Sequence, residues 1–146
     1  MATFEERIFT LTFDRTVKEA APLHHHEHSR RTLNEKSIRV KALFVVVANG
    51  PYYGNNLTVA PEARLDDGLL TVSVYRRFGK WELIRHFWGI SGGKYRYSPK
   101  VKTFHAAEVR MESASELPVH GDGEVIEKTP AVFRALPKAL TVLAPE

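Results

Sequence analysis

Alternating apolar and polar residues predict several short strands along the chain. In the stretch Arg7–Asp14, Phe9, Leu11 and Phe13 alternate with polar residues, which is typical of a strand with one buried face. The run Ala42–Val47 is entirely apolar and predicts a strand at the centre of a sheet. Strands are predicted at residues 7–14, 37–47 and 70–75, and again from 101 onward at 109–113, 117–119, 131–136 and a short terminal strand at 140–143.

One segment, KWELIRHFWGI, has the period of a helix about three turns long. Trp81, Ile84, Phe87 and Trp88 recur at helical spacing, and the glycines that follow are expected to end the helix. We interpret the three aromatic residues as core, with an acyl-chain cleft as the alternative if the helix is poorly covered. His86 is predicted to be a surface residue of this helix.

The connection from Ala48 to Leu70, ANGPYYGNNLTVAPEARLDDGLL, is rich in glycine, proline, asparagine and aspartate. These residues tolerate positive φ, fix φ or satisfy turn amides. A loop of this length is uncommon unless it is functional or disordered, and the apolar residues Leu57 and Val59 argue against disorder. We therefore expect an ordered, shaped connection between two strands. By contrast, the polar segment Thr16–Lys36 has no clean period and is predicted to be an exposed loop.

Short strands with regular turn signals and one helix predict a mostly β protein, an antiparallel β-sandwich with one short helix. A chain of 146 residues is expected to form a single domain, residues 1–146. It has no cysteine, which excludes disulfides and thiolate sites. No apolar run approaches the roughly 20 residues that span a bilayer, and the acidic N-terminus is unlike a secretory signal. These features predict a soluble, cytoplasmic protein.

The net charge of +4 and the pI near 9.4 fit anionic lipid surfaces, nucleic acid or phosphorylated ligands, and do not choose among them. Part of the positive charge lies in KYRYSPKVK, residues 94–102. This mixture of basic and aromatic residues would suit stacking on single-stranded nucleic acid or contact with phosphates. The plain alternative is a solvated, lysine-protected strand edge.

Two short acidic motifs are candidate chemical sites. In GDGE, Gly121–Glu124, the carboxylates of Asp122 and Glu124 follow a strand and could bind Mg²⁺ or accept a proton from a hydroxyl. The alternative, favoured by the four residues alone, is an Asp-Gly hairpin turn with incidental charges. His120 beside it is either structural or part of the site.

The second motif, DDG at Asp66–Gly68, also resembles a turn. A hard cation bound there would need further oxygen ligands, such as the main-chain carbonyls of Arg64 and Leu69. A third candidate, HHHEH at His24–His28, lacks the separated ligands of a tetrahedral zinc site. We interpret it as adventitious.

Several segments, taken together and in order, resemble the C-terminal half of the diacylglycerol kinase-like lipid kinases, which include bacterial diacylglycerol kinases and the sphingosine and ceramide kinases. The segments are FVVVANGPYYGNNLTVAPEARLDDGLLTV, GGKYRYSPKV, LPVHGDGE and PKALTVLAP. The resemblance covers the chain from about Arg39 onward, and residues 15–37 carry little of it.

The resemblance implies a fold and a set of roles. It implies the C-terminal β-sandwich of a two-domain NAD kinase/diacylglycerol kinase-like fold, in which ATP phosphorylates a lipid hydroxyl in the cleft between the domains. Glu124 matches the proton acceptor of the family and Asp122 its companion carboxylate. Asp67 matches the aspartate of a Mg²⁺ site that main-chain oxygens complete, here those of Arg64 and Leu69.

The family's nucleotide-binding motif, GGDGT, is absent from this sequence, and the chain has about half the length of such a kinase. The resemblance therefore implies that the N-terminal domain, which would bind ATP, is missing and that the chain is inactive alone. Expected partners are a lipid substrate, ATP through that domain and transiently a membrane surface, without nucleic acid; a homodimer is compatible. Diacylglycerol, a sphingoid base and phosphatidylglycerol all fit as acceptor.

Two other functions remain open on the sequence. One is a non-catalytic β-sandwich module that binds lipid or sugar, in which Asp67 and Asp122 serve structure only. The other is a nucleic-acid binder that uses KYRYSPKVK, for which salt-dependent oligonucleotide binding would be the sign.

Overall fold

A computed structural model describes residues 6–14, 18–19, 36–54, 57–91 and 100–143. These residues form two four-stranded antiparallel sheets, two two-stranded hairpins and one helix, which confirms the predicted fold class. The elements are β1 (Arg7–Asp14), β2 (Lys18–Glu19), β3 (Lys36–Ala42), β4 (Phe44–Ala48), β5 (Tyr52–Tyr53), β6 (Leu57–Thr58), β7 (Leu70–Tyr75), α1 (Lys80–Ser91), β8 (Val101–Ala106), β9 (Glu108–Ser113), β10 (Pro118–Gly121), β11 (Glu124–Lys128) and β12 (Ala131–Arg134).

The first sheet has the strand order β12-β9-β1-β3. Its strand β1 pairs with β3 on one side and β9 on the other. Phe9, Leu11 and Phe13 of β1 are buried, and the residues between them are more exposed, as the alternation predicts.

The second sheet has the order β2-β8-β7-β4 and packs on the first through its apolar face. The rings of Phe13 and Phe104, one from each sheet, lie 5.2 Å apart. The strand β7 is buried at all six positions, so its second face is covered as well. On that face the Thr71 hydroxyl lies 3.1 Å from Nδ1 of His105, which satisfies its hydrogen-bonding capacity. The core between the sheets comprises Phe9, Leu11, Phe13, Ala42, Val72, Val74, Phe104, Ala106, Val109 and Met111.

The strand predicted at residues 37–47 is interrupted at Leu43, and its two parts, β3 and β4, belong to different sheets. The predicted central position of its apolar part is wrong, because β4 lies at the edge of the second sheet. Both faces of β4 are nevertheless covered. Val45 and Val47 pack on the core, whereas Val46 and Ala48 pack on a small cluster formed by Val59, Ala60 and Ala63.

The connection that follows β4 is shaped by specific contacts in its described part, residues 48–54 and 57–70. The amides of Val59 and Ala60 both donate to the carbonyl oxygen of Pro51, at 3.1 and 3.3 Å. The Glu62 carboxylate lies 3.4 Å from Nε2 of His105 on β8. These contacts fix the loop against the second sheet, as expected of an ordered connection.

The helix α1 is present where the sequence predicts it, but it presents a different face to the sheet. Trp81 and Trp88 are 83% and 80% exposed, so their interpretation as core is wrong. His86 is buried, with 9% of its surface exposed, so its prediction as a surface residue is also wrong. Its ring packs against Tyr75 and Phe78, with centroids 5.8 and 5.4 Å away. The period of 3.6 residues predicts stripes along a helix, and here the stripe with His86 faces the sheet.

Three further predictions concern the remaining segments. Residues 140–143 are exposed, and no described strand pairs with them. The prediction of a terminal strand there is therefore wrong. Within the predicted loop 16–36, Lys18–Glu19 forms β2 beside β8. Lys36, the last residue of that loop, begins β3. The other residues of the loop, which include HHHEH, and most of KYRYSPKVK lie outside the described residues. Among the described residues, no helix has the length and apolar character needed to cross a membrane.

Candidate functional site

The GDGE motif forms the tip of the β10–β11 hairpin. Asp122 and Gly123 are the two residues between the strands, and both have positive φ, 48° and 97°. Positive φ at both central positions is the type I′ turn, which an Asp-Gly pair favours because glycine adopts it without strain. The structure therefore has the hairpin turn that the four residues alone predict, and the catalytic roles of Asp122 and Glu124 stay predictions.

The base of this hairpin is held by the buried side chain of Thr129. The Leu117 amide donates to Thr129 Oγ1 at 3.0 Å, and the Thr129 amide donates to the Leu117 carbonyl at 2.9 Å. The hydroxyls of Thr129 and Ser113 lie 2.5 Å apart, which connects the hairpin to β9. The direction in which GDGE projects is thus determined by contacts at residues 113–117 and 129.

The two carboxylates of the motif have different surroundings. Asp122 and His120 line a cavity between the two sheets. Glu124 is the first residue of β11, a strand exposed at all five positions, and is not among the residues that line the cavity. Both residues are exposed, but only Asp122 contributes to the cavity lining.

The cavity has a volume of about 640 Å³, within the range of small-molecule sites. Its walls come from both sheets and from the connection after β4. Most of the lining is apolar. Its polar members are Arg7, Tyr53, Tyr75, His120, Asp122 and Thr129. The lining residues include Phe9, Phe44, Val45, Val47, Leu57, Val59, Tyr75, Met111, Leu117, Val119 and Phe133, followed by His120, Gly121 and Asp122.

The DDG motif forms a compact turn before β7. Oδ1 of Asp67 accepts the Leu69 amide at 2.9 Å, and Gly68 has a φ of 70°. Arg64 donates to both carboxylate oxygens of Asp66, at 3.2 and 3.4 Å. This hydrogen bonding, reinforced by the positive charge of Arg64, lowers the pKa of Asp66. The residues predicted for a metal site, Arg64, Asp67 and Leu69, therefore lie within one turn.

The donor atoms of this turn are compatible with a hard cation. Mg²⁺ prefers oxygen ligands and is usually bound by one or two carboxylates while it keeps several waters. Asp67 keeps its second carboxylate oxygen for such a role. Among the described residues, no group of three or more His, Cys, Asp or Glu side chains could hold a metal. Coordination at Asp67 would thus depend on main-chain oxygens and water, and it stays a prediction.

The predicted site residues form two groups, Asp122 with Glu124 on the hairpin and the three residues of the DDG turn. In the described part of the chain, no hydrogen bond or ion pair joins the groups. Sequence reasoning missed the inter-sheet cavity and the role of Thr129. The uninterrupted apolar run of β4 indicates that both faces of the strand are covered, but no local signal indicates the cavity.

The chain is similar to known proteins over most of its length. Residues 1–144 match the family model described as the YegS C-terminal NAD kinase beta sandwich-like domain. The match thus also includes the residues before Arg39, which lie outside the motifs that carry the resemblance in the sequence.

Individual relatives agree with this match. A diacylglycerol kinase of Mycobacterium tuberculosis (strain H37Rv) is 33% identical over 93 residues, which are 64% of this chain and 30% of that protein. A diacylglycerol kinase of Staphylococcus aureus (strain Newman) is 32% identical over 87 residues, 60% of this chain and 28% of that protein. The match thus spans less than a third of the length of either relative.

The fold has a counterpart among solved structures. The crystal structure of a candidate diacylglycerol kinase from Bacillus anthracis (strain Sterne) superposes with a TM-score of 0.61 at 18% identity. The superposition covers 92% of this chain and 38% of that chain. At this identity the likeness shows a shared fold.

Proposed function

The chain belongs to the family of YegS C-terminal NAD kinase beta sandwich-like domains, and we propose that residues 1–146 are the C-terminal domain of an ATP-dependent lipid kinase. In this proposal the complete enzyme transfers the γ-phosphoryl group of ATP to a lipid hydroxyl, such as that of diacylglycerol. The names of the bacterial relatives, which are diacylglycerol kinases, support this substrate class.

The observation that carries the proposal is the cavity between the sheets. Its apolar walls, from β4, β7 and β9, suit an acyl chain, and its lining includes His120, Gly121 and Asp122 of the hairpin. A lipid whose chain occupies the cavity would place its polar end at the Asp-Gly turn. The acceptor hydroxyl would then lie beside the carboxylates of GDGE.

These carboxylates suit the chemistry of phosphoryl transfer, which depends mainly on positioning and charge neutralisation. Glu124 accepts the proton of the lipid hydroxyl, and Asp122, which lines the cavity, orients that hydroxyl. Proton transfer by a positioned group of this kind typically contributes about 10²–10⁴-fold to a rate.

The remaining roles belong to Mg²⁺ and ATP. Asp67, with the main-chain oxygens of Arg64 and Leu69, would hold Mg²⁺, and the bound ion would stabilise the turn before β7. ATP would bind to a domain with a GGDGT motif, which this sequence does not contain. We therefore expect no phosphoryl transfer by this chain alone. A cytoplasmic enzyme of this kind meets its substrate at a membrane surface, so transient membrane contact is part of the proposal.

Two observations favour a second candidate function, a non-catalytic module that binds lipid. Glu124 lies outside the cavity lining, and the GDGE turn has an ordinary type I′ geometry. In that case the cavity holds a lipid, and Asp122 serves only the turn.

The experiment joins the chain to the part of the M. tuberculosis diacylglycerol kinase outside the aligned segment. Transfer of labelled phosphate from ATP to diacylglycerol in micelles is then measured for the fusion and for its Glu124→Gln variant. We expect the variant to lose roughly 10²–10⁴-fold in rate and to keep its thermal stability. Glu127→Gln, on the same exposed strand, is the matched control and should remain active.

Near-normal transfer by the Glu124→Gln fusion would refute the assignment of the proton acceptor. Lipid binding without transfer by the unsubstituted fusion would favour the non-catalytic module. Transfer by the unfused chain would contradict its expected inactivity.

A further inference from the structure

His120 is the described histidine whose side chain lines the cavity between the sheets. It occupies the third position of β10, two residues before Asp122, and is exposed. The other two histidines of the described residues are engaged, His86 by aromatic rings and His105 by two polar side chains. Within the described part of the chain, the ring of His120 has no hydrogen-bond or ion-pair partner. Its two nitrogens are therefore available to a ligand in the cavity.

A bulge in the hairpin lies at His120. The register of the ladder shifts between Val119 and His120, and Ile126 on β11 is left without a partner. Ile126 lies against the next residue of β10, since a Cβ atom on Gly121 would come 2.9 Å from its Cδ1 atom. Bulges occur often beside active sites, where they change the direction of a side chain. The position of His120 is thus a feature of this hairpin and not that of a residue in a regular ladder.

The GDGE motif supplies acceptors of hydrogen bonds but no side-chain donor. The carboxylates of Asp122 and Glu124 can only accept while they are ionised. A glycerol lipid has a hydroxyl, which can donate to a carboxylate, and an ester oxygen on the neighbouring carbon, which can only accept. A site that holds both oxygens therefore needs a donor beside the carboxylates. A neutral imidazole carries one N–H donor, so His120 meets this need.

The other donors of the cavity lining are less suitable. The Thr129 hydroxyl is already bonded to the Leu117 amide at the base of the hairpin. The remaining donors lie on other elements, at the start of β1, in β5 and at the end of β7, and are Arg7, Tyr53 and Tyr75. The Cα atoms of His120 and Asp122 are separated by no more than about 7 Å, the length of two extended residues. His120 is thus the donor that lies on the same hairpin as the carboxylates.

We propose that His120 recognises a second oxygen of the acceptor lipid, next to the hydroxyl that is phosphorylated. The ring N–H donates to this oxygen while the hydroxyl lies at the carboxylates of GDGE. The substrate class is then a lipid whose hydroxyl has an oxygen on the neighbouring carbon, such as a glycerol ester, and not a simple long-chain alcohol. The inference rests on the proposed function, because it concerns the lipid that the cavity would hold. It assigns His120 to the site, one of the two roles that the sequence left open.

The first measurement is lipid binding by the chain itself, which requires no ATP. A fluorescent fatty acid bound to the chain in detergent micelles is displaced with dioleoylglycerol or with oleyl alcohol, whose hydroxyl has no neighbouring oxygen. His120→Phe keeps a ring but has no donor. It should weaken the binding of dioleoylglycerol roughly threefold to tenfold, as expected for one hydrogen bond, and leave the binding of oleyl alcohol unchanged.

Two further variants are the controls. His120→Gln restores a donor and should recover most of the affinity for dioleoylglycerol. Val125 is the partner of His120 across the hairpin but does not line the cavity, so Val125→Thr should bind both lipids like the unsubstituted chain. The thermal stability of each variant is measured in parallel, so that a loss of fold is distinguished from a loss of recognition.

The second measurement is the kinetics of the fusion enzyme. His120→Phe should raise the KM for dioleoylglycerol by the same factor and leave kcat nearly unchanged, because the hydrogen bond is made to the lipid before and during transfer. Glu124→Gln, by contrast, should act on kcat, since Glu124 is the proposed proton acceptor.

Three results would overturn the inference. They are unchanged affinity of His120→Phe for dioleoylglycerol, equal losses for the two lipids, and no binding of either lipid by the chain. Equal losses would mean that the substitution alters the shape of the cavity. If His120→Phe separates the two lipids as expected but the unsubstituted fusion transfers no phosphate, the kinase proposal fails while the role of His120 stands. Transfer by the fusion with the same KM in His120→Phe has the opposite meaning.

Discussion

Replacement of Thr129 by valine should loosen the hairpin that carries GDGE. Valine has nearly the same shape as threonine but cannot accept the Leu117 amide, at 3.0 Å, or bond to Ser113, at 2.5 Å. Each hydrogen bond contributes about 0.5–1.5 kcal/mol net, and a donor left without a partner in a buried place costs more. The loss should total about 2 kcal/mol, which lowers the Tm of a chain of this size by roughly 4–8 °C.

Urea denaturation and amide hydrogen exchange measure this effect at two levels. The free energy of unfolding should fall by the amount given above, and the amides of β10 and β11 should exchange faster than those of β1. Thr129→Ser is the matched control, because it keeps the hydroxyl and its hydrogen bonds and loses only a methyl group.

Equal stability of Thr129→Val and the unsubstituted chain would refute the reasoning. So would an increase in exchange that is the same in β1 and in the hairpin, because the change would then be global. In the fusion enzyme, a loosened hairpin should lower kcat more than it raises the KM for ATP, since ATP is bound elsewhere.

Two further substitutions test the DDG turn and α1. Asp67→Ala should reduce the Tm more in Mg²⁺ than in chelator, and equal losses would argue against a metal there. Burial lowers the pKa of His86, so the unfolded chain binds this proton more readily. The stability that neutral His86 contributes is present above the unfolded pKa of about 6.5 and is lost as the pH falls below it. His86→Phe should therefore reduce the stability loss between about pH 7 and pH 5; an unchanged loss would contradict this.

The local sequence pattern predicts the elements of the fold, but it does not predict what each element packs against. The alternation in β1 predicts both a strand and its buried face, because Phe9, Leu11 and Phe13 can point to only one side. The same logic is insufficient for α1, in which apolar residues occur on more than one stripe. Tyr75 and Phe78 decide that His86 faces the sheet, and their positions depend on the tertiary fold.

The position of β4 shows a similar limit. An apolar run predicts a strand at the centre of a sheet, yet β4 is an edge strand. Its two faces are covered by the core and by the cluster at Val59, Ala60 and Ala63. That cluster belongs to the connection after β4, and no local pattern shows that the chain returns there.

For the candidate site, the local motifs predicted the turns but not the space between the sheets. The Asp-Gly pair predicts a type I′ turn from its own conformational preferences, and the structure has it. The cavity arises where residues from both sheets and a loop leave a volume unfilled. Such a volume is a property of the packing of distant segments.

The position of β1 within the first sheet has a consequence for biosynthesis. One neighbour, β3, begins at Lys36, whereas the other, β9, begins at Glu108. The pair β1–β3 can form soon after its residues leave the ribosome, but the ladder with β9 must wait until residues 108–113 have also been translated. During that interval one edge of β1 is without its partner strand, and such an edge is open to pairing with another nascent chain. The strand β9 therefore protects β1, and a pause in translation between them is where misassembly would begin.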